Sequence, residues 1–516
     1  MQPQQQQQPQ QQGSVLKTDV VIVGAGFGGL CMAIKLIEAG LEDLVILEKA
    51  GEVGGTWRDN TYPGCACDVQ SHLYSYSFNG KADWSKRYAP WQEIHQYILD
   101  TTEAYGLRDR VSFNQEVIGA RYDENTARWL ITTECGDQFD CKYWVLASGP
   151  LHVPQYPNLP GLDRFQGKTF HSARWDHDYD LTGKKVISIG TGGSAIQYCP
   201  EIAPEVDRLS VFQRSPAWVI PRDDRRYLGL EKTLFQRFPW VRKLHRARLY
   251  WSNESRVWPI FNPTLARSLQ QFAKLFIRLQ VRDRETARKL TPDYTLGCKR
   301  VLISNKWYPM FNRDNVELVT ESIQEVREHS VVTSDGREHP ADCIIFGTGF
   351  QVDPRLYMKG FELTGSGGHS LAEDWQAGVE GYMGTMVHGY PNMFQLVGPN
   401  AGLGHNSIIF MIECQADYIV SLMNTVTARG ADYVDVTAKA QTAFNQEIEQ
   451  GLANTVWTSG CTSWYQQADG KNFAVWPFST WKFWLKSRFL ALGDFDFGKV
   501  RRRTRKAKPR KEPASA

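Results

Sequence analysis

Two glycine-rich segments, each directly after an apolar stretch, constrain the fold of this 516-residue chain more than any other feature. The first reads GAGFGG at residues 24–29, and the second reads GTGGSA at residues 190–195. A strand that runs into Gly-x-Gly-x-x-Gly and then into a helix is typical of a βαβ unit that binds a dinucleotide. Two such units predict an α/β chain with two Rossmann-like dinucleotide-binding domains of the three-layer ββα type.

The first glycine segment predicts a site for FAD or NAD. Gly24 permits a tight turn, Gly26 lets the backbone approach a pyrophosphate, and Gly29 lets helix and strand pack closely. The next apolar run, residues 44–47, leads into Glu48, which stands 24 residues after the first glycine. A carboxylate at this point accepts hydrogen bonds from ribose hydroxyl groups and repels a 2′-phosphate.

The second glycine segment predicts a site for NADP. We expect Gly190, Gly192 and Ser194 to border its pyrophosphate. The strand expected at 209–212 leads to Arg214, again 24 residues after the first glycine. A planar guanidinium matches a 2′-phosphate, although an ordinary surface arginine at a strand end is the alternative. Together the two sites predict a flavoprotein that takes hydride from NADPH.

Two further patterns lie outside the nucleotide motifs. Residues 54–57 read GGTW and are followed by YPG at 62–64 and by Asp68, while residues 165–176 fit FxGxxxHxxxWD. With the order of the nucleotide motifs, these patterns resemble the paired fingerprints of the type I Baeyer–Villiger monooxygenases. The related flavin monooxygenases that oxygenate nitrogen or sulfur share the second pattern but usually lack its tryptophan. Trp175 therefore favours the Baeyer–Villiger family.

The resemblance covers the chain from about Thr18 to Trp484 and implies an enzyme that uses FAD, NADPH and O₂. It implies that an anionic C4a-peroxyflavin attacks the carbonyl carbon of a ketone, so that an ester or lactone forms. An N- or S-oxygenating flavin monooxygenase is the alternative. A flavin disulfide reductase would need a redox-active dithiol, and the sequence contains no CxxC pair. A non-catalytic interaction protein that uses its basic tail is a further alternative.

The resemblance also implies roles for two charged pairs. Asp68 would orient Arg300, whose guanidinium would stabilise the anionic peroxyflavin and the oxyanion that follows it. Lys299 would bind the 2′-phosphate of NADP beside Arg214. Taken alone, the aspartate could be a turn residue and the Lys-Arg pair a solvated surface.

Several other residues are candidates for the cofactor sites. Thr56 and Trp57 follow the double glycine of the first fingerprint, so we expect them beside the first nucleotide. Trp476 lies in an aromatic stretch that the resemblance places in a loop over the pocket, although the residues alone indicate only a buried aromatic cluster. His171 invites assignment as a base, but its position between the two nucleotide domains favours a hinge or packing role. A third glycine-rich segment, residues 398–404, is expected to lead into a helix that begins near Asn406 or Ser407.

Two details bear on the substrate. Ala66 stands where some enzymes that act on cyclic ketones carry arginine, and residues 297–300 read Gly-Cys-Lys-Arg. The second feature resembles the branch that contains the 4-hydroxyacetophenone and polycyclic-ketone monooxygenases. We therefore expect a bulky, aryl or long-chain ketone.

The order of these motifs predicts how the domains are arranged along the chain. A segment rich in aromatic and basic residues at helical spacing interrupts the second nucleotide domain and predicts a small helical insertion. The expected parts are a disordered Gln-rich head (1–17), an FAD-binding domain in two parts (18–150 and 346–498), an NADP-binding domain in two parts (151–221 and 291–345), the helical insertion (222–290) and a basic disordered tail (499–516).

Charge and cysteine usage suggest the compartment and the partners. The net charge is +3, but residues 499–516 hold nine Lys or Arg, so the rest of the chain is mildly acidic. We expect no nucleic-acid partner, no metal site and no integral membrane association, and a monomer is plausible. The ten cysteines are scattered, and no signal peptide is evident. Free thiols and a cytoplasmic location are therefore the expectation.

Overall fold

The computed structural model describes residues 15–461, 463–467 and 469–500. The strands are β1 Val15–Val23, β2 Leu44–Glu48, β3 Val111–Phe113, β4 Val117–Asp123, β5 Arg128–Thr133, β6 Gln138–Leu146, β7 Lys168–His171, β8 Lys185–Ile189, β9 Arg208–Phe212, β10 Val219–Ile220, β11 Leu302–Ile303, β12 Val316–Val319, β13 Ile323–Arg327, β14 Ser330–Thr333, β15 Glu338–Pro340, β16 Cys343–Phe346, β17 Glu362–Thr364, β18 Met393–Gln395, β19 Tyr433–Val436 and β20 Phe495–Gly498. The helices are α1 Phe27–Glu38, α2 Thr56–Asp59, α3 Trp91–Ala104, α4 Ala195–Ile202, α5 Gly229–Arg237, α6 Pro239–Glu254, α7 Val257–Phe261, α8 Pro263–Gln280, α9 Arg284–Lys289, α10 Trp307–Met310, α11 Pro354–Tyr357, α12 Leu371–Asp374, α13 Ile408–Ala428, α14 Ala438–Leu452 and α15 Thr480–Arg488.

The larger sheet carries the first glycine segment. Its strands follow the order β17-β4-β5-β6-β1-β2-β3, and β18 pairs with the second half of β6. Val20, Val21 and Ile22 of β1 are fully buried. Such a continuous apolar run is expected of a parallel strand that is covered on both faces. Strand β6 pairs with β1 in parallel and with β5 antiparallel, so it joins the nucleotide-binding sheet to an antiparallel layer.

The second sheet carries the second glycine segment. Its five strands are all parallel and follow the order β12-β9-β8-β16-β7. The same part of the chain also forms a three-stranded antiparallel sheet of β13, β14 and β15. The two parallel sheets confirm the α/β class with two Rossmann-like domains.

Five helices, α5 to α9, occupy residues 229–289, the region of the predicted insertion. The chain leaves the second domain at β10 and returns at β11, and these two short strands pair with each other in parallel. The insertion therefore begins and ends at neighbouring points of the fold. The domain boundaries themselves stay predictions.

The two ends of the chain differ from the prediction where they are described. Residues 15–17 fall in the head that the sequence predicts to be disordered. They pair with β6 and therefore form the start of β1. Residues 1–14 and 501–516, which hold the rest of the predicted head and most of the tail, lie outside the described residues. Val500 is described, and its backbone N–H donates to the Asp432 carboxylate at 2.8 Å. No helix in the described part of the chain has both the length and the apolar character needed to cross a bilayer.

Candidate active site

The first glycine segment forms a cradle that side chains would fill. Gly24 has φ +104°, and a Cβ there would lie 2.8 Å from the carbonyl oxygen of Ala147. A Cβ on Gly29 would lie 1.8 Å from the Gly24 oxygen, so only glycine allows α1 to pack on β1 at this point. A Cβ on Gly26 would have only one neighbour within 4 Å, the Cα of Gly55 at 3.8 Å. Because α1 begins directly afterwards, its free N–H groups point to a place where a pyrophosphate fits.

Glu48 lies at the end of β2, as predicted, and is held by three donors. Its Oε2 accepts a hydrogen bond from the Ala25 backbone at 2.8 Å, and its Oε1 accepts from the Ala50 backbone at 3.0 Å and from Arg58 at 2.9 Å. A carboxylate offers about four lone-pair positions, so one position remains for a ribose hydroxyl group. These residues fit FAD.

Thr56 and Trp57 begin the short helix α2 after two glycines with positive φ, Gly54 and Gly55. Thr56 is exposed next to the glycine cradle. Trp57 is buried, and its indole N–H donates to the hydroxyl of Tyr74 at 3.2 Å. The Trp57 indole therefore packs inside the protein against Tyr74. The cofactor contact predicted for Thr56 and Trp57 stays a prediction.

The second glycine segment forms a similar cradle against a different strand. Gly190 has φ +109°, and a Cβ there would lie 2.4 Å from the carbonyl oxygen of Gly347, which follows β16. An ideal Cβ on Gly192 would have no neighbour within 4 Å. Ser194 is the N-cap residue of α4. Open backbone at a helix N-terminus fits a second pyrophosphate.

Two cations converge beside this cradle. Arg214 is exposed just after β9, and Lys299 Nζ lies 3.3 Å from the hydroxyl oxygen of Ser215. The pKa of Lys299 is lowered, first by burial and then by repulsion from Arg214. No carboxylate of the described residues forms a salt bridge with either side chain. An unbalanced pair of positive charges fits the 2′-phosphate of NADP.

Asp68 and Arg300 form an ion pair although they are far apart in the sequence. Arg300 Nε donates to Asp68 Oδ2 at 3.1 Å, and Nη2 donates to the same oxygen. The negative charge of Asp68 is the main reason that the pKa of Arg300 is raised above its usual value. The side chains stay partly exposed, at 41% for Arg300 and 29% for Asp68. The guanidinium is thus fixed by one carboxylate, with further N–H groups free to face a reacting oxygen.

The loop that carries Asp68 is held by Gln197, a residue that the sequence analysis missed. Gln197 lies on α4 of the second domain. Its amide donates to the Ala66 carbonyl at 3.0 Å and accepts from the Ala66 backbone at 3.3 Å and from the hydroxyl of Tyr62 at 3.0 Å. One amide side chain therefore ties the Asp68 loop of the first domain to the helix that starts the second nucleotide site.

A disulfide bond between Cys298 and Cys461 lies next to the ion pair, with the two Cα atoms 6.2 Å apart. The prediction that all cysteines are free thiols is therefore wrong for these two and agrees with the other eight. Sequence spacing cannot show which cysteines pair, so only the fold reveals this bond. The bond fixes the segment that carries Arg300 to the segment after α14.

The charges of Arg300 and Asp68 act on Tyr465, which the sequence analysis did not single out, while the cofactor contact of Trp476 stays a prediction. Burial raises the pKa of Tyr465 to about 12, and the charge of Arg300, the next largest influence, opposes that rise. Among the described residues its buried hydroxyl has no hydrogen-bond partner. Trp476 is buried in a separate cluster, where its indole N–H donates to the Ser479 carbonyl at 3.1 Å. The cluster contains Phe444, Phe478 and Phe483.

His171 and the third glycine segment lie as the sequence suggested. His171 is fully buried, its Nδ1 accepts from the Ala173 backbone at 3.1 Å, and burial lowers its pKa to about 4. These features agree with a packing role. Helix α13 begins at Ile408, directly after Ser407, and Gly402 accepts a hydrogen bond from the Trp476 backbone at 2.9 Å.

Known proteins with similar sequences and folds are oxygenases. Residues 17–263 match the family model "Flavin-binding monooxygenase-like". The chain is 43% identical over 479 residues to a Baeyer–Villiger monooxygenase of Streptomyces coelicolor, with 92% of each chain covered. It is also 43% identical over 467 residues to one from Pseudomonas aeruginosa, with 90% of this chain and 88% of that protein covered.

Among solved structures, a steroid monooxygenase bound to NADP aligns with a TM-score of 0.85 and 30% identity, covering 94% of this chain and 100% of that one. A closed structure of cyclohexanone monooxygenase aligns with a TM-score of 0.85 and 28% identity over the same shares. These similarities extend over both nucleotide domains and agree with both fingerprints. The chain therefore belongs to the Baeyer–Villiger monooxygenase family of flavin-binding enzymes.

Proposed function

We propose that this Baeyer–Villiger monooxygenase converts ketones to esters or lactones at the Arg300 guanidinium, with Asp68 as the residue that orients it. The observation that carries the proposal is the ion pair between these two residues, with Arg300 directly after Lys299 of the second nucleotide site. It supplies a permanent positive charge next to the second nucleotide site.

FAD and NADPH are the cofactors of this enzyme, as predicted. We assign the FAD site to Gly24, Gly26, Gly29 and Glu48, whose cradle and carboxylate were described above. We assign the NADPH site to the residues of the second cradle and its two cations, Gly190, Gly192, Ser194, Arg214 and Lys299. When bound and reduced by NADPH, FAD activates O₂ and so supplies the oxygen atom that is inserted.

Arg300 contributes by charge and orientation. When a nucleophilic oxygen adds to a ketone, negative charge develops on the carbonyl oxygen of the ketone. A guanidinium cannot lose its proton at any physiological pH, and Asp68 raises the pKa of Arg300 further. Removing one such preorganised donor typically raises the barrier by about 2.7–4 kcal/mol. Asp68 acts through Arg300, because it holds the guanidinium in one orientation.

The substrate class that we propose is a ketone with a bulky, aryl or long-chain apolar group. One solved structure with a similar fold is a steroid monooxygenase, which supports a large apolar substrate. Ala66, in the loop before Asp68, replaces the arginine of some enzymes that act on cyclic ketones and so favours a ketone outside that class. A closer relation to the 4-hydroxyacetophenone and polycyclic-ketone branch stays a prediction.

The test is Arg300→Ala, assayed with a panel of ketones under ¹⁸O₂. We expect unchanged FAD content and continued NADPH oxidation, but a loss of ester formation of about 10²–10³-fold. Mass spectrometry measures the ester with one labelled oxygen, and hydrogen peroxide release measures the electrons that are not coupled to product. Arg284→Ala is the matched control, because Arg284 is an exposed arginine at the start of α9. Ester formation at the normal rate in Arg300→Ala would contradict the proposed role.

A further inference from the structure

Helix α8 has apolar side chains over a broad arc of its surface, and only part of this arc is covered. Ala266, Ala273 and Ile277 point inwards and are buried. Next to them runs a stripe at helical spacing whose residues are 37–73% exposed: Leu265, Leu269, Phe272, Leu275 and Leu279. A helix that packs on a core by one face normally places polar residues on the other. The second stripe therefore requires a different explanation from the core.

The same exposed apolar character continues over the neighbouring helices. The exposed residues there are Leu230 and Leu234 on α5, Phe238 before α6, Trp240, Leu244 and Trp251 on α6, Trp258 on α7, and Trp481, Trp484 and Leu485 on α15. Helix α15 adjoins α6, because the Tyr250 and Thr480 hydroxyl groups lie 2.8 Å apart and the Thr480 backbone donates to Glu254 at 2.7 Å. We call the exposed apolar residues of α5 to α8 and α15 the outer surface. Exposed apolar side chains that are concentrated on neighbouring helices in this way indicate an interaction site.

The helices that carry most of the outer surface are strongly basic. Residues 229–280 contain ten Lys or Arg and only two acidic residues. Of these two, Glu231 is paired with Arg225, and Glu254 is buried below α15. The exposed basic residues of this region are Arg237, Lys243, Arg248, Arg256, Arg267 and Arg278. A second copy of the chain would present the same positive charge, so this surface opposes its own dimerisation.

We propose that the outer surface docks onto an anionic lipid bilayer, with its helices lying in the plane of the interface. Exposed Trp, Leu and Phe with interspersed Lys and Arg are the composition of helices that lie in a lipid–water interface. Tryptophan favours the headgroup level, where its ring is both apolar and able to donate a hydrogen bond. The basic residues attract anionic headgroups. No described helix spans a bilayer, so the contact is peripheral.

The experiment is flotation of the FAD-loaded, full-length enzyme with lipid vesicles. One set contains phosphatidylcholine alone, and the other contains phosphatidylcholine mixed with phosphatidylglycerol. We expect the enzyme to float with the anionic vesicles and to float much less with the neutral ones. The double variant Phe272→Ser/Leu279→Ser should bind roughly a hundredfold less tightly or weaker still, because it removes two side chains that would enter the lipid. Lys243→Glu/Arg248→Glu, at two exposed basic residues that flank the apolar stripe of α6, should also weaken binding, since each basic residue near the surface strengthens attachment about fivefold.

The control is Ile118→Ser/Leu356→Ser, which removes two exposed apolar side chains from elsewhere on the molecule. It should float as the wild type does. FAD absorbance and NADPH oxidation should be unchanged in all variants, which shows that they fold. Every variant keeps the basic residues after position 498. If the Phe272→Ser/Leu279→Ser variant floated as well as the wild type, binding would be due to this basic tail, and the proposal would be overturned. The proposal would also be overturned if the wild type failed to float with either set of vesicles. It would be overturned as well if the wild type formed a dimer in solution that only the Phe272→Ser/Leu279→Ser variant lost.

Discussion

Lys299 and Arg300 are adjacent in the sequence but differ in how their charges are balanced. Arg300 is held by Asp68, whereas Lys299 faces Arg214 and the Ser215 hydroxyl group. A balanced cation keeps a fixed orientation, and an unbalanced pair of cations attracts an anion from outside the protein. This difference supports the two different tasks proposed for these neighbouring side chains.

Lys299→Ala tests this division. We expect the KM for NADPH to rise about tenfold or more, because a charge-assisted hydrogen bond contributes about 1.5–3 kcal/mol. The KM for NADH, which lacks the 2′-phosphate, should change little, so steady-state kinetics with both cofactors is the measurement. Lys306→Ala is the control, since Lys306 pairs with Glu201 at 2.7 Å. An equal rise in KM for both cofactors would contradict phosphate binding by Lys299.

Tyr465→Phe removes one buried hydroxyl group whose pKa is influenced by the charge of Arg300, and it leaves the ring in place. Because the pKa of this phenol is raised to about 12, the group stays protonated at neutral pH and can donate a hydrogen bond. We expect ester formation to fall about two- to tenfold, the value of one hydrogen bond, while hydrogen peroxide release rises. Tyr156→Phe, at a half-exposed ring, should leave both rates unchanged. Unchanged coupling in Tyr465→Phe would leave this hydroxyl group with a packing role only.

At the scale of elements, the Cys298–Cys461 bond joins the segment before β11 to the segment after α14. Arg300 follows the first cysteine by two residues, and Tyr465 follows the second by four. Movement of either segment would therefore move the other. The bond makes the guanidinium and the phenol parts of one unit.

Cys461→Ser should lower the stability of the enzyme by about 2–4 kcal/mol, because the bond closes a long loop in the unfolded chain. Thermal unfolding with and without a reductant measures this loss. Titration of the denatured, unreduced wild type should detect eight thiols of the ten cysteines. Cys135→Ser changes an exposed free thiol and serves as the control. Ten reactive thiols in the unreduced wild type would rule out the bond.

The elements that the sequence predicted are those whose signals are local. The apolar run 44–47 and its terminal glutamate match β2, and the run expected at 209–212 matches β9 within one residue. A strand end followed by a glycine turn is specified within about ten residues of chain. Composition alone did not show how the aromatic residues near the C-terminal end of the described chain pack. Trp476 and Tyr465 stand in similar aromatic stretches, and only tertiary packing distinguishes them.

At the scale of the whole molecule, the candidate site depends on contacts between distant segments. Asp68 meets Arg300, and Gln197 of α4 holds the loop around Ala66. Family resemblance implied the first contact, but no pattern in the sequence indicated the second. A glutamine on a helix is ordinary by composition, and its role appears only when the two nucleotide domains are placed together. The ion pair is thus also part of the joint between the domains.

The insertion is attached to the second domain by side-chain amides at both ends. Asn305 exchanges hydrogen bonds with the Arg222 backbone at 2.8 and 2.7 Å, and Gln213 donates to the Lys289 carbonyl at 2.8 Å. The paired strands β10 and β11 bring these two anchor points together. A segment whose two ends lie next to each other can be exchanged between related genes without moving the glycine segments of the two nucleotide sites. Recombination at these two points would thus diversify the insertion and its exposed helices while the oxygen chemistry is inherited intact.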